Sequence, residues 1–260
     1  MPRLTSALAV QGRVIWALMI RDIGSRKGGD TTGLYWILLE PIIVTLIVIT
    51  VHVVSSGTTV VKSVPIVVFL LTGYVPHVLF RHSGLAGYSA LSANGGLLYH
   101  KQIHFLDIIF ARVFVEVITV LFGFTMVYLG FYLAGQIKLP YAVGYFFMGW
   151  FYQIWFVYGV CFLLTGAAFA WPIVRRMFQP MVLLFLPAYA AFFMLAWVSP
   201  NVRYYLLFFP PVNAAEMMRY GYFGNSALTF FDVQYTTEAC LVLMFFGLLS
   251  AYRGRRRLEV

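Results

Sequence analysis

The sequence predicts an all-α polytopic membrane protein with six transmembrane helices. It also predicts an N-terminal amphipathic interface helix and an outer re-entrant half-helix pair between spans five and six. Three observations carry this. Six long apolar stretches fill most of the 260 residues. Hydrophobic residues make up 62% and charged residues 10%, against about 25% charged in a soluble domain. The connecting segments differ in their share of basic residues. A bilayer core of about 30 Å needs roughly 20 apolar helical residues. Only a helix satisfies its backbone within one segment in lipid.

The N-terminal segment, residues 1–31, reads as a cytosolic interface helix. Leu4, Leu8, Ile15 and Leu18 recur at helical spacing, and Arg3, Arg13 and Arg21 reach for headgroups. A solvated tail is the competing reading. The apolar run Val14–Ile20 is too short, and too tightly bracketed by Arg13 and Arg21, for a cleavable signal. The polar turn Ser25–Asp30 leads into span one, Leu34–Val54, which carries Glu40-Pro41. Proline there removes a backbone donor and favours a kink. Span two, Val64–Tyr88, holds Gly73, Pro76, Arg81 and His82.

The loop 89–104 predicts a short cytosolic helix interrupted at Asn94-Gly95-Gly96, with Lys101 its sole formal charge. A small half-apolar element on a loop-poor protein suits docking to a soluble partner. Span three, Phe105–Ala134, and span four, Tyr141–Ala170, are joined by the tight turn Gly135–Pro140. Span five is Pro180–Val198 and span six Thr236–Tyr252. Between them, residues 199–234 are apolar yet broken at Pro210-Pro211. Val202–Phe209 and Val212–Phe223 are too short to cross, so they predict a hairpin dipping into the outer leaflet. Such backbone is tolerated only against protein or a water-filled cavity. One domain spans the chain.

The formal charge is +9. Six spans place both termini on one side. Assigned to the cytosol, that side holds fourteen Lys and Arg residues, among them Arg81, Arg112, Arg175, Arg176 and Arg253; the outer side holds Lys62, Lys138, Arg203 and Arg219. The positive-inside rule then sets both termini in the cytosol. A basic nucleic-acid module is the poorer reading, because no soluble part carries a basic patch. Cys161 and Cys240 fall inside spans as small packing residues.

Ionisable groups within spans are costly and usually face the bundle interior or a water path. Glu40 has no charged neighbour in sequence. Arg112 and Glu116 lie one turn apart, as do Glu216 and Arg219. Each pair reads either as local charge neutralisation or as a conduit wall. The histidines His52, His77, His82, His100 and His104 show no metal-ligand or catalytic spacing. Aromatics from Tyr145 to Tyr158, Trp150 and Trp155 among them, nearly tile span four. They read as interface and packing residues or as a stacking surface for sugar rings. The P-loop pattern is absent from the sequence, so ATP is not bound by that means.

Several stretches resemble one family, the ABC type-2 exporter permeases. Thr31–Trp36 through Glu40-Pro41 is similar to their first-span entry, and Leu71–Pro76 with Phe80-Arg81 to their second span. Asn94 through Leu98–Ile103, then Leu106-Asp107, Ala111-Arg112 and Glu116, resembles their coupling helix and third span. Ala215–Gly224 resembles their second gate half-helix, and Arg253–Arg257 their basic tail. The resemblance covers almost the whole chain and fits the capsule-polysaccharide export subgroup best.

That resemblance implies the transmembrane subunit of an ATP-driven exporter moving lipid-linked capsular polysaccharide from cytosol to periplasm. It implies a homodimer in the bacterial inner membrane and two separate ATP-binding subunits. It also implies a periplasmic membrane-anchored adaptor and an outer-membrane polysaccharide channel. ATP and Mg would sit in the partner ATPase, with no cofactor and no catalytic or metal site in this chain. Asn94, Leu98, Tyr99, His100, Lys101, Gln102, Ile103 and His104 would couple to the ATPase. Tyr35, Trp36, Glu40, Arg81, Arg112, Glu116, Trp150 and Trp155 would line the substrate path. Arg203, Tyr204, Pro210, Pro211, Glu216, Arg219 and Tyr220 would form the outer gate. Export of O-antigen, teichoic acid or another amphiphile is the nearest alternative. A membrane-embedded lipid-linked transferase is the alternative of another class; it calls for clustered acids, whereas the nine here are scattered from Asp22 to Glu259.

Overall fold

The structure is a computed structural model that describes residues 2–26, 32–61, 64–94, 96 and 103–255. Within these, the side chains of 2–9, 25, 26, 32–34, 61, 94, 188 and 255 are not described. The chain is helical nearly throughout. α1 is Pro2–Arg26, α2 Thr32–Ser56, α3 Ile66–Ser83, α4 Ala86–Asn94 and α5 Phe105–Leu133. α6 follows at Val143–Ala170, α7 at Pro172–Ala188, α8 at Pro200–Leu206, α9 at Pro210–Phe223 and α10 at Val233–Arg255. A two-residue antiparallel ladder, Val60–Val61 (β1) with Val64–Pro65 (β2), turns the chain between α2 and α3.

Four segments among the described residues are long and apolar enough to cross a membrane: Tyr35–Ser56, Ile66–Ala93, Val143–Ala170 and Val233–Gly254. α3 is the inner member, with residues from Ile66 to Ser83 mostly buried. α2 and α10 instead bury few of their apolar side chains within the chain, as helices do when lipid or a partner replaces water. α5 exposes Phe110, Phe114, Ile118, Phe122 and Met126 at i, i+4 spacing and buries the opposite stripe.

Close approach between α6 and α10 is built from glycine. A Cβ on Gly166 would lie 2.1 Å from the Ser250 carbonyl oxygen, and one on Gly247 2.5 Å from that of Gly159. Gly159 and Gly166 on α6 face Gly247 and Gly254 on α10, seven residues apart on each helix. Small residues at such a seam let two membrane helices touch backbone to backbone. α9 packs along the N-terminal half of α6. A Cβ on Gly149 would meet the Ala214 carbonyl, and one on Gly221 the Phe146 backbone.

Two expected boundaries move. Span five was expected over Pro180–Val198, but α7 runs over Pro172–Ala188 and residues 189–198 form a turn and one 3-10 turn at Leu195–Trp197. Hydropathy placed the start too late, because Arg175 and Arg176 lower the average of what is already helix. Pro172 sits in the first turn, where its missing N–H costs nothing. The second change concerns the cytosolic element expected from residue 89. Ser89–Asn94 is the end of α4, whose Gly87, Ala90 and Leu91 are buried. The expected interruption at Asn94 is where α4 stops. Neither Pro41 nor Pro76 breaks its helix.

Candidate functional site

Two polar constellations stand out in an otherwise apolar bundle. The first lies at the end of the bundle where α1 packs. Met19 of α1 is buried against Ala111 and Val115 of α5, with Ile15, Leu18 and Ile23 alongside. This apolar contact fixes α1 to α5. It also brings Asp22 of α1 to Arg112 of α5, in an ion pair between Asp22 Oδ1 and Arg112 Nη1. Arg112 Nη2 lies 3.7 Å from Glu116 one turn on. Glu116 in turn lies 3.7 Å from His82 Nδ1 of α3. The other ring nitrogen of His82 is 3.7 Å from Glu40 of α2, and Arg81 is 3.9 Å from the same carboxylate.

Six side chains on four helices thus form one ladder: Asp22, Arg112, Glu116, His82, Glu40, Arg81. Its separations of 3.7 to 3.9 Å are longer than tight hydrogen bonds. The Glu116 side chain is 5% exposed, and those of Glu40 and Arg81 are 39% and 35% exposed. The ladder runs from the bundle interior to an open surface. Glu40, Arg81, Arg112 and Glu116 were each expected on a substrate path, and the structure joins all four. Sequence spacing missed Asp22 and His82, because their partners stand 90 and 34 residues away.

The start of α5 is tied in similarly. His104 caps α5, and its backbone N–H donates to Asp107 Oδ2 at 3.0 Å. Gln11 of α1 donates to Asp107 Oδ1. Of the expected coupling residues, Ile103 packs against the core and His104 is exposed at this cap. Asn94 ends α4 with its side chain undescribed, and Leu98, Tyr99, His100, Lys101 and Gln102 lie outside the described residues. Tyr35 and Trp36 are 65% and 62% exposed on α2. Trp150 is buried, edge-on to Phe124 at 5.0 Å between ring centres. Trp155 is half-buried and stacks on Tyr152.

The second constellation lies on α9. Arg219 and Glu216 are fully buried and paired at 2.9 Å. Arg219 Nη1 donates to the Phe193 carbonyl at 2.9 Å, and Nη2 to the Ala190 carbonyl at 2.7 Å. Its guanidinium also sits over the Phe69 ring at 4.9 Å. Glu216 accepts from the backbone N–H groups of Leu195 at 3.4 Å and Phe230 at 3.2 Å. Asn213, also buried, accepts from the Asp232 N–H and donates to the Leu207 carbonyl, each at 2.8 Å.

Each fixes irregular backbone that no helix or sheet satisfies, which a dry interior demands. Ala190 sits at φ 49°, a left-handed conformation that is costly for a residue with a Cβ. Arg219 holds its carbonyl. A Cβ on Gly73 would lie 2.8 Å from that guanidinium and 2.9 Å from the Ala190 oxygen, so α3 needs glycine where it passes the clamp.

Of the other expected gate residues, Arg203 donates to the Leu195 and Val198 carbonyls and lies 3.8 Å over the Phe230 ring. Tyr204 is 62% exposed and edge-on to Phe208. Tyr220 packs edge-on against Tyr145. Pro210 and Pro211 open α9 in its first turn, the break expected from sequence. Pro211 reaches the level of Phe156, midway along α6, where both border one cavity. Among the described residues, no group of three or more His, Cys, Asp or Glu side chains is placed to hold a metal ion.

A polar ladder and a buried clamp thus sit in a bundle of helices of which several are long and apolar enough to cross a membrane. Known proteins sharpen that description. Over 253 residues the chain is 29% identical to the capsule polysaccharide export inner-membrane protein CtrC of Neisseria meningitidis serogroup B, covering 97% of this chain and 95% of that protein. This chain resembles capsule-export inner-membrane proteins from end to end. The capsule polysaccharide export inner-membrane protein BexB of Haemophilus influenzae is 28% identical over 253 residues, with the same coverage. The polysialic acid transport protein KpsM of Escherichia coli is 26% identical over 258 residues, 96% of each chain. No family model matches. The subgroup singled out by the sequence motifs is the one these homologues represent.

Proposed function

We propose that this chain is the transmembrane subunit of a polysaccharide exporter in a bacterial inner membrane. The observation that carries the reading is similarity over 97% of the chain to capsule polysaccharide export inner-membrane proteins. Within that reading six segments cross the bilayer. α5 and α7 join the four segments already long and apolar enough. The α8–α9 hairpin enters from the outer side, and the approach of Pro211 to the midpoint of α6 supports that depth. Both termini are cytosolic, as the basic residues favour.

Export is ATP-driven, and the fuel enters through a separate ATPase, because no P-loop occurs here. α1 and the segment around residues 94–104 receive it. A push on α1 reaches α5 through Asp22–Arg112 and Gln11–Asp107. It reaches α2 and α3 through Glu116, His82 and Glu40. Two copies around a two-fold axis enclose the conduit. A conduit is needed because bare charge at bilayer depth is expensive and glycans are polar along their length.

The decisive experiment complements a strain that lacks its own capsule-export inner-membrane subunit but keeps the other components. Surface glycan restored by the wild-type chain supports export. Glycan retained inside, with the chain inserted and the ATPase bound, overturns it. Cross-linking in the membrane separates the two-copy arrangement from a monomer.

A further inference from the structure

His82, a middle link of the ladder, has charged groups at both ring nitrogens. On its own helix, α3, Arg81 Nη2 lies 3.1 Å from His82 Nε2. From α2, Glu40 Oε1 lies 3.7 Å from the same nitrogen. From α5, Glu116 Oε2 lies 3.7 Å from Nδ1, and Arg112 stands 3.7 Å from the other oxygen of that carboxylate. Asp22 of α1 reaches the ring only through Arg112. The remaining neighbours of α3 add no further charge at this point. α4 and α6 carry no charged residue. On α7, Arg175 bonds the Tyr88 hydroxyl and Arg176 is exposed. On α9, Glu216 and Arg219 pair with each other.

This arrangement selects one tautomer. A guanidinium has five donors and no acceptor, whereas a neutral imidazole offers one of each. At 3.1 Å Arg81 must donate to Nε2, so Nε2 holds a lone pair and the ring is neutral. The single ring proton then sits on Nδ1, facing Glu116. A second proton has one place to enter, which is Nε2. There it sets two donors and two cations face to face, and the Arg81 contact must break. The new N–H is left with Glu40, whose carboxylate already stands beside it and gains a charge-assisted bond on closing. Nε2 therefore has two mutually exclusive partners.

We propose that His82 is a proton-operated latch between α3 and α2. Neutral, it holds Arg81 on its own helix and faces a carboxylate across helices only at Glu116. Protonated, it releases Arg81 and ties α3 to α2 through Glu40 and to α5 through Glu116. Glu40 and Glu116 favour the added proton, and Arg81 and Arg112 oppose it. The α2 tie is present in acid and is lost as pH rises and the ring gives up its proton. Histidine is the side chain that ordinarily changes charge between about pH 5 and 8. A side chain 17% exposed leaves a route for that proton. In the transmission path proposed above, the latch would make the α2 branch sensitive to pH at that end of the bundle. The latch itself rests on these contacts and not on the export reading.

Solid-state NMR of the full-length chain in liposomes, with its histidine ring nitrogens labelled with ¹⁵N, tests this. H82Q identifies the His82 signals by their loss. The wild type is expected to carry its ring proton on Nδ1 at about pH 8, and protons on both nitrogens at about pH 5. R81M, which cannot donate to Nε2, should shift the neutral ring to the Nε2–H form. A through-space contact from Nε2 to the Glu40 carboxyl carbon, identified by its loss in E40Q, should strengthen in acid and fade in base. A wild-type ring protonated on Nε2 alone at the higher pH overturns the proposal. So does a ring still neutral at the lower pH, which would place the proton on a carboxylate. An unchanged tautomer in R81M, or a Glu40 contact indifferent to pH, overturns it as well. None of these readings depends on whether the chain exports glycan.

Discussion

The same short motif, a carboxylate and an arginine one turn apart on a helix, does opposite things at the two ends of this molecule. On α9, Glu216 and Arg219 meet at 2.9 Å with no exposure, and their other bonds end on backbone of the 190–195 turn and Phe230. On α5, Arg112 and Glu116 stand 3.7 Å apart, and their remaining contacts run to side chains on α1 and α3. Bonds to backbone lock one conformation, because breaking any of them orphans a buried polar group. Contacts between long side chains on separate helices can be traded as those helices shift, especially where the outer members reach solvent. The α9 pair is a clamp that holds the hairpin's footing. The α5 pair belongs to a ladder whose links are side chains on separate helices. A buried pair contributes little net stability, yet removing one partner is severe.

The sharpest way to break this contrast is Arg219→Ala. It strands a buried Glu216 carboxylate and two turn carbonyls, and is expected to cost about 3–5 kcal/mol. Loss of soluble, monodisperse protein in a detergent thermal-melt assay measures it. If Glu216→Leu with Arg219→Met is no better tolerated than the single change, the clamp acts through more than charge compensation. Arg112→Met comes next. Its loss frees Asp22 and Glu116 from one charged hydrogen-bonding partner, at about 1.5–3 kcal/mol. Trypsin cutting within α1 should accelerate as α1 lifts from α5; an unchanged digestion rate would show that the Met19 contact alone holds the helix.

Glu40→Gln sharpens the comparison from the other side. Its pairs are long and its own side chain is more than one-third exposed, so stability should change by no more than about 1 kcal/mol. Export should nevertheless fall, as surface glycan reports. A variant that exports normally would remove Glu40 from the transmission path. The smallest structural effect is expected from Lys101→Glu with His104→Glu. Melting should stay near the wild type while co-purification of the ATPase subunit drops. Full recovery of the ATPase with that variant would move the docking surface elsewhere on the chain.

Much of the architecture was readable beforehand for a plain reason. Lipid permits few backbone solutions, so apolar length alone marks a helix. α2, α5, α6 and α10 fall within a few residues of their expected spans. Pro210-Pro211 announced the division of α8 from α9, since proline is favoured in a first turn. Span five failed because two arginines at its rim depress hydropathy without ending a helix. Residues 89–94 were expected to be helical up to Asn94 and are; what sequence did not show is that this helix starts at Ala86 and that its small residues let it bury Gly87 and Ala90 in the bundle.

Composition, apolar lengths and the order of motifs by themselves determined a helical membrane protein that resembles the polysaccharide-export permeases, because those features answer to solvent and to ancestry. Only the tertiary structure decided what the charges do. Spacing along one helix reports whether two side chains can meet. Depth and the third partner decide whether the meeting becomes a lock or a linkage, and both come from other helices. Asp22 and His82 make that plain: each gains its role from a residue that the chain brings near only by folding.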